Sequence, residues 1–301
     1  MASVVEPSFV EAGRSIGFPA AYLRLARPKQ WTKNGFVLAG VIFSGEALRA
    51  SSVVDALLAF IAFCALSGAV YAANDILDVV EDRGHPTKRL RPVASGEIPI
   101  PVAVVYAALL ALFGLALAFL VGFGVGLAGL GYLALQAVYT PFLKHMAVLD
   151  VMSISAGFVI RALAGAAAVG VPISPWLVVC TGLLTLFLGF SKRRYELYVL
   201  GEVAEAHRRN LKDYSVEMLD QMMNIMVAAT IIAYTMYTYF AYGHRYMMVS
   251  VPIVIYGVLR YLLLVHRDGG GDPDTLLLRD RPLQITLLLF LAVVATVIYI
   301  F

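Results

Sequence analysis

With 301 residues, 60% of them hydrophobic, and a mean hydropathy of +0.82, this chain has far more apolar surface than a soluble globular protein can hide from water. Only 14% of its residues are charged, against ~25% in an ordinary soluble domain. The net charge of +3 is too small to mark a nucleic-acid binder, so the placement of the charges says more than their sum.

Residues 1–18 read as a loosely ordered tail, and residues 19–301 as one integral membrane catalytic domain without a long soluble insertion. Residues 1–30 lack the apolar centre and small-residue cleavage site of a signal peptide. Residues 19–33, PAAYLRLARPKQWTK, mix Leu, Tyr and Trp with Arg24, Arg27, Lys29 and Lys33, a composition suited to a helix lying on an anionic membrane face. Apolar runs follow at 34–48, 53–74, 101–122, 125–142, 146–169, 175–191, 219–242, 247–265 and 282–301. They predict an all-α polytopic bundle with nine candidate spans, the first and fourth of them short against the ~20 residues that cross a bilayer. Cys64 and Cys180 lie in apolar runs and read as buried small hydrophobes. The five histidines are scattered, with no metal-ligand spacing among them.

Charge predicts the orientation. With nine spans, five Lys and Arg precede the first run, four follow the second, Lys144 ends the fourth, six follow the sixth and four close the eighth. Twenty of the 23 therefore share one side; only Arg49 and Arg245 fall on the other, and Arg161 lies within a span. The positive-inside rule then puts the N-terminus in the cytoplasm and the C-terminus outside. On the fifth run, Asp150, Ser153, Gly157 and Arg161 share a helix face, and Arg161 expects its partner on another span rather than at Asp150, ~16 Å along the same helix.

The second run ends in NDILDVVED, Asn74 to Asp82. On a continuous α-helix, at ~100° per residue, Asp75, Asp78 and Asp82 stand ~100°, ~40° and ~80° from Asn74, all on one face. Acids stacked so closely repel one another, and a divalent cation such as Mg²⁺, which prefers oxygen ligands and leaves room for phosphate oxygens, relieves that repulsion. Asn74, Asp75, Asp78 and Asp82 are therefore the candidate metal and catalytic residues.

Three basic segments are expected on the same side. The loop after the motif carries Arg83, Lys88, Arg89 and Arg91 among turn residues, and cations beside a metal–diphosphate site can clamp phosphate oxygens. The junction VYTPFLKHMAVLDV holds Tyr139, Lys144 and Asp150 around a helix break at Pro141. SKRRYELYVL ends the sixth run with Lys192, Arg193, Arg194 and Glu196, either a second phosphate clamp or a helix end with an i,i+4 pair. HRRNLKD, His207 to Asp213, reads as a solvated loop.

These segments together resemble the UbiA superfamily of intramembrane prenyltransferases over nearly the whole chain from about residue 20. Asn74, Asp75, Asp78 and Asp82 match its NDxxDxxxD motif, KRLRPVASGEI resembles the loop that follows, and YTPFLK resembles its tyrosine–lysine segment. The resemblance implies a nine-transmembrane-helix UbiA-type bundle in a bacterial cell membrane, with Mg²⁺ on the four motif residues. Members that use prenyl diphosphates carry a second aspartate-rich motif after span six, where this chain has SKRRYELYVL with Glu196 as its one acid. That departure, with LRLARPKQWTKN near the start, is similar to the decaprenyl-phosphate phosphoribosyltransferases, which join phosphoribosyl diphosphate (PRPP) to a polyprenyl phosphate for arabinan synthesis in the cell wall. The implied roles are Lys192, Arg193 and Arg194 on the 5-phosphate, and Lys29, Lys144 and Arg89 on phosphate oxygens of donor or acceptor.

The alternatives are a UbiA-type aromatic prenyltransferase of quinone synthesis, disfavoured by the missing second motif, and a CDP-alcohol phosphatidyltransferase, whose DGxxAR run is lacking. A non-enzymatic transporter is a further alternative, with Asp150 and Arg161 lining its pathway.

Overall fold

A chain in hydrocarbon must satisfy its own backbone hydrogen bonds, and helices do this within one segment. In the computed structural model, residues 18–200, 209–240, 245–267, 276 and 279–300 are described, and they form helices joined by short turns. Residues 1–17 of the expected tail lie outside the described residues, as do His207 and Arg208. The order is α1 (Phe18–Leu25), a 3₁₀ segment (Pro28–Leu38), α2 (Ala39–Phe43), α3 (Ala50–Leu77), α4 (Val79–Gly84), α5 (Ile100–Val121) and α6 (Phe123–Tyr139). Then follow α7 (Leu149–Ala168), α8 (Pro175–Leu200), α9 (Val216–Phe240), α10 (Val251–Arg267) and α11 (Arg281–Ile300).

Seven of the described helices are long and apolar enough to cross a membrane: α3, α5, α7, α8, α9, α10 with the turn before it, and α11. Apolar α6 has 17 residues. The chain is an integral membrane protein.

The first apolar run departs from an ordinary α-helix. From Asn34 to Phe43 the run is 3₁₀ as far as Leu38, at ~2.0 Å per residue, and α-helical after it, so it rises about 18 Å and falls short of the ~30 Å of a bilayer core. Close backbone contact holds this path against α7. A Cβ on Gly165 would fall 1.8 Å from Val37 O, and one on Gly40 would fall 2.4 Å from the Gly165 carbonyl carbon. Only glycines permit that approach. A polar tie reinforces it: Arg161 of α7 donates from Nε to Asn34 Oδ1 (2.7 Å), from Nη1 to Gly157 O (2.9 Å) and from Nη2 to Tyr132 OH (3.1 Å). Asn34 in turn donates to Ser67 Oγ and Cys64 Sγ of α3. Arg161 thus finds its partners on other segments, and Asp150, Ser153, Gly157 and Arg161 are all buried along one helix.

Two apolar cores flank this seam. One joins α3, α5, α6 and α7 around Phe63, Leu66, Val125 and Tyr132. The other joins α7 to α11 around Val151, Phe187, Leu219, Met223 and Val265. Between the first segment and α8–α11 lies an apolar cavity of about 640 Å³, bordered by Phe36, Gly40, Trp176, Phe187, Tyr234 and Phe290. Cys180 is half-buried on its wall, whereas Cys64 is fully buried; both are free thiols.

Two expectations are corrected here. The motif Asn74–Asp82 does not ride one continuous helix: α3 ends at Leu77, Asp78 takes φ −91°, ψ 9°, and α4 begins at Val79. Neither Gly nor Pro signals this break. It coincides with ion pairs drawing Asp75 and Asp78 toward separate basic segments. Secondly, the stretch read as a solvated loop is, over its described residues, a 3₁₀ turn, Arg209–Asp213, and its apolar Leu211 and neighbouring Asn210 are fully buried rather than solvated.

Candidate functional site

The acidic motif sits where four segments meet. Asn74 and Asp75 occupy the last turn of α3, Asp78 the junction, and Asp82 the middle of α4. The junction keeps its hydrogen bonds: Asp78 N–H donates to Asn74 O (2.9 Å) and Asp82 N–H to Asp78 O (2.8 Å). Asp75 and Asp82 are each only 2% exposed, and carboxylates buried so deeply need cations or strong donors.

Arginines supply them. Arg27 pairs with Asp75. Arg91 reaches both acids from one atom, with Nη1 3.2 Å from Asp75 Oδ1 and 2.6 Å from Asp82 Oδ2. Local backbone geometry aims each of them. Arg27 caps the 3₁₀ segment in the left-handed region, φ 51°, just before Pro28, and its guanidinium lies 5.1 Å above the Tyr71 ring. Arg91 precedes Pro92 in a loop anchored by buried Val93 and Ile98, which pack with Leu25, Ala72 and Val79. Within that loop Gly96 takes φ 80°, and Arg83 Nε donates to Ala94 O.

The α6–α7 connection closes the other side. Thr140 Oγ1 donates to Asn74 Oδ1 (3.0 Å), and Lys144 Nζ lies 3.4 Å from Asp78 Oδ1. Asn74, Asp75, Asp78 and Asp82 therefore each have a partner from outside their own helices.

A second cluster stands at the end of α8. Arg193 donates from Nε to Asp150 Oδ2 (2.7 Å) and pairs with Glu196. Tyr214 OH donates to Asp150 Oδ1 (3.1 Å) and accepts from Val148 N–H (2.5 Å). Burial, with the Asp150 carboxylate beside it, pushes the Tyr214 hydroxyl up to about 12, so it is a neutral donor at physiological pH. Arg194 donates to Asp220 Oδ1 (2.5 Å) and to Val265 O (3.3 Å). Lys192 is half-buried beside them. Phe187 and Leu188, one turn earlier on α8, line the apolar cavity, so its wall leads up to this cationic segment.

The structure thus brings Asn74, Asp75, Asp78, Asp82 and Lys144 together at the α3–α4 junction. It gathers Arg193, Glu196 and Asp150 separately, with Tyr139 within electrostatic reach of Arg193. Arg193 and Arg194, expected on a phosphate, are 2% and 8% exposed and engaged by protein acids. Lys29 and Arg89 are exposed and Lys88 half-buried, none of them paired with a motif acid; Arg83 braces the loop. Sequence reasoning passes over Thr140, Tyr214 and Asp220, places Arg27 on the membrane face rather than at the motif, and names Arg91 without singling it out. These residues lie in segments distant along the chain, and no local spacing marks their contacts.

The donor set suits a hard divalent cation. Among the described residues no three His, Cys, Asp or Glu side chains are assembled as a metal site. The Arg91 guanidinium bridges Asp75 and Asp82, so its positive charge lies between two carboxylate oxygens.

The profile of the UbiA prenyltransferase family matches residues 35–288. A decaprenyl-phosphate phosphoribosyltransferase of Mycobacterium tuberculosis is 34% identical over 289 residues, covering 93% of this chain and 94% of that protein. The protein of the same name from Corynebacterium glutamicum is 33% identical over 288 residues, 92% of this chain and 86% of its own length. A solved UbiA homolog from Archaeoglobus fulgidus, bound to GPP and Mg²⁺, superposes with a TM-score of 0.73 at 22% identity, over 93% of this chain and 100% of that one.

Proposed function

This chain belongs to the UbiA prenyltransferase family, and we propose that it transfers the 5-phosphoribosyl group of PRPP to a polyprenyl phosphate such as decaprenyl phosphate, releasing diphosphate. The observation that carries the reading is the convergence of Asn74, Asp75, Asp78 and Asp82 with Arg27, Arg91 and Lys144 at one end of the bundle. Such a site suits a diphosphate with a divalent cation. The two curated relatives, alike over nearly their whole length, support PRPP as its source.

In this reading Asn74, Asp75, Asp78 and Asp82 would hold Mg²⁺, which would supply charge neutralisation for the departing diphosphate. Lys144, Arg27 and Arg91 add fixed positive charge at the same place, and their donors strengthen as negative charge develops on the leaving oxygens. The C1–O bond to diphosphate breaks, leaving oxocarbenium character on the ribose. The lipid phosphate then attacks C1 from the opposite face and inverts it. A phosphate monoester, with its second pKa near ~6, is largely a dianion at pH 7, so no side chain need take a proton. Lys192 is the proposed contact for the 5-phosphate, with Arg193 and Arg194 shaping the segment around it. Lys29, Lys88 and Arg89 offer exposed or half-buried cations for the remaining phosphate oxygens. The apolar cavity beneath Lys192 takes part of the polyprenyl tail.

The charge distribution supports a topology with nine crossings, the N-terminus and the site in the cytoplasm, where soluble PRPP is available, and the C-terminus outside. The test is to incubate the purified protein in liposomes with ribose-labelled PRPP, Mg²⁺ and polyprenyl phosphate. The expected result is labelled lipid with one equivalent of released diphosphate. Label that stays in PRPP, or transfer of a prenyl group from a prenyl diphosphate to an aromatic acceptor, rejects the proposal.

A further inference from the structure

Residues 140–150 form a strap between the two clusters. At its start Thr140 holds Asn74 and Lys144 reaches Asp78; at its end Asp150 holds Arg193. Between them the backbone takes an unusual form. Val148 has φ 67° and ψ −49°, and Leu149 N–H donates to Ala147 O at 2.8 Å. This is a three-residue γ-turn of the rare hand, centred on a β-branched side chain. Valine does not adopt that conformation by preference, so neighbouring contacts must hold it.

Those contacts meet at one hydroxyl. Tyr214 OH accepts the Val148 N–H at 2.5 Å and donates to Asp150 Oδ1 at 3.1 Å, binding the turn to the first acid of α7. Arg193 fixes the other carboxylate oxygen of Asp150, so both oxygens are engaged from outside the strap. The Tyr214 ring is 6% exposed and packs in the core with Val151, Phe187 and Leu219. The hydroxyl therefore sits on a rigid mount, and the residue it holds, Val148, is four residues along the chain from Lys144.

We propose that Tyr214 is a positioning residue whose hydroxyl, by holding the turn at Val148, aims Lys144 at the acidic motif. The ring supplies packing; the hydroxyl supplies the register of the strap. A turn released from Tyr214 relaxes toward the ordinary φ of valine and carries Lys144 away from Asp78. This assignment rests on the phosphoribosyl-transfer reading, because Lys144 is there a contact for the leaving diphosphate.

The test is a double-mutant cycle on the full-length protein in detergent or liposomes, using Tyr214→Phe, Lys144→Gln and their combination. Tyr214→Phe keeps the ring and removes only the hydroxyl. It is expected to lower kcat/KM for PRPP about tenfold while leaving KM for polyprenyl phosphate within about twofold. If Tyr214 acts through Lys144, the double variant is no worse than Lys144→Gln alone. Calorimetric titration with PRPP closes the same cycle without turnover, and its Kd does not depend on the fraction of folded protein. Losses that multiply in the double variant, or wild-type kinetics and PRPP affinity in Tyr214→Phe, overturn the assignment. Wild-type protein that neither labels lipid nor binds PRPP rejects the underlying function and this assignment together. Wild-type turnover with an unaffected Tyr214→Phe variant rejects the assignment alone.

Discussion

Arg91 places one guanidinium nitrogen 2.6 Å from the Asp82 carboxylate, so a protein cation already balances the most buried acid of α4. Removing that acid leaves Arg91 with Asp75, and with 28% of its side chain in contact with solvent, so no unpaired charge is stranded in the core. Asp82→Ala is therefore expected to insert and fold normally yet lose at least about 100-fold in turnover, in line with the loss of a principal transition-state electrostatic group. Asp78→Ala, whose partner Lys144 is also partly solvated, behaves alike. Melting temperature and gel-filtration profile in detergent check the fold; phosphoribosyl transfer checks the chemistry. Normal turnover by either purified variant removes the metal role.

Lys192 and Arg193 are neighbours with opposite expected phenotypes. Lys192→Ala raises KM for PRPP at little change in kcat, the behaviour of a contact made equally in ground and transition states. Arg193→Ala instead leaves Asp150, itself 0% exposed, without its buried partner, and loses about 3–5 kcal/mol of stability. Kinetics on the first variant and thermal unfolding of the second separate the two roles. Unchanged PRPP kinetics in Lys192→Ala reject the 5-phosphate contact.

Among the described residues no carboxylate pairs with Arg161, which depends on Asn34, Gly157, Tyr132 and the ring faces of Tyr132 and Phe158. Asn34→Ala withdraws the acceptor for Nε and is expected to destabilise the protein by about 1–3 kcal/mol, the cost of an unsatisfied buried donor. Adding Arg161→Met to Asn34→Ala removes the orphaned charge, so the pair costs less than the sum of the singles. Detergent melts of the four proteins test this, and strict additivity contradicts it.

Asp280 leads into α11, accepting from Leu283 N–H at 2.9 Å and from Arg260 Nη2 at 2.8 Å. The Arg260 hydrogen bond holds its carboxyl below the usual carboxylate range. A lowered folded value means that the stabilisation is complete above the unfolded value, about 3.9, and is lost as pH falls through the lowered one. Asp280→Asn keeps a capping oxygen and removes only the charge. Its melting temperature is expected to lie below wild type at pH 7, with the gap shrinking as pH falls below about 4. A gap independent of pH overturns the ion-pair account.

Much of this architecture was legible because membrane solvation writes it locally. Apolar runs locate the long helices, and the NDxxDxxxD spacing locates the acids. What escaped depends on partners far along the chain. No residue near Asp78 signals a helix break, yet its cation is Lys144, and Asp75 takes Arg27 besides Arg91. The 3₁₀ path of residues 28–38 follows from Asn34 meeting Arg161, 127 positions away, and from Gly165 lying against Val37. Arg193 illustrates the remaining difficulty: a cation at a helix end looks the same in sequence whether it meets a phosphate or, as here, Asp150.

The interruption at Asp78 divides the acidic residues between two bodies of unequal mass. Asn74 and Asp75 belong to a 28-residue helix seated in the membrane bundle, whereas Asp82 rides on six-residue α4 beyond its end. Adjusting the span between the two sets requires rotation about one residue and displacement of a short outboard helix. Because the bilayer-embedded framework carries Asn74 and Asp75, displacing α4 alone would change the spacing of the motif oxygens, much as a vice closes by moving one jaw.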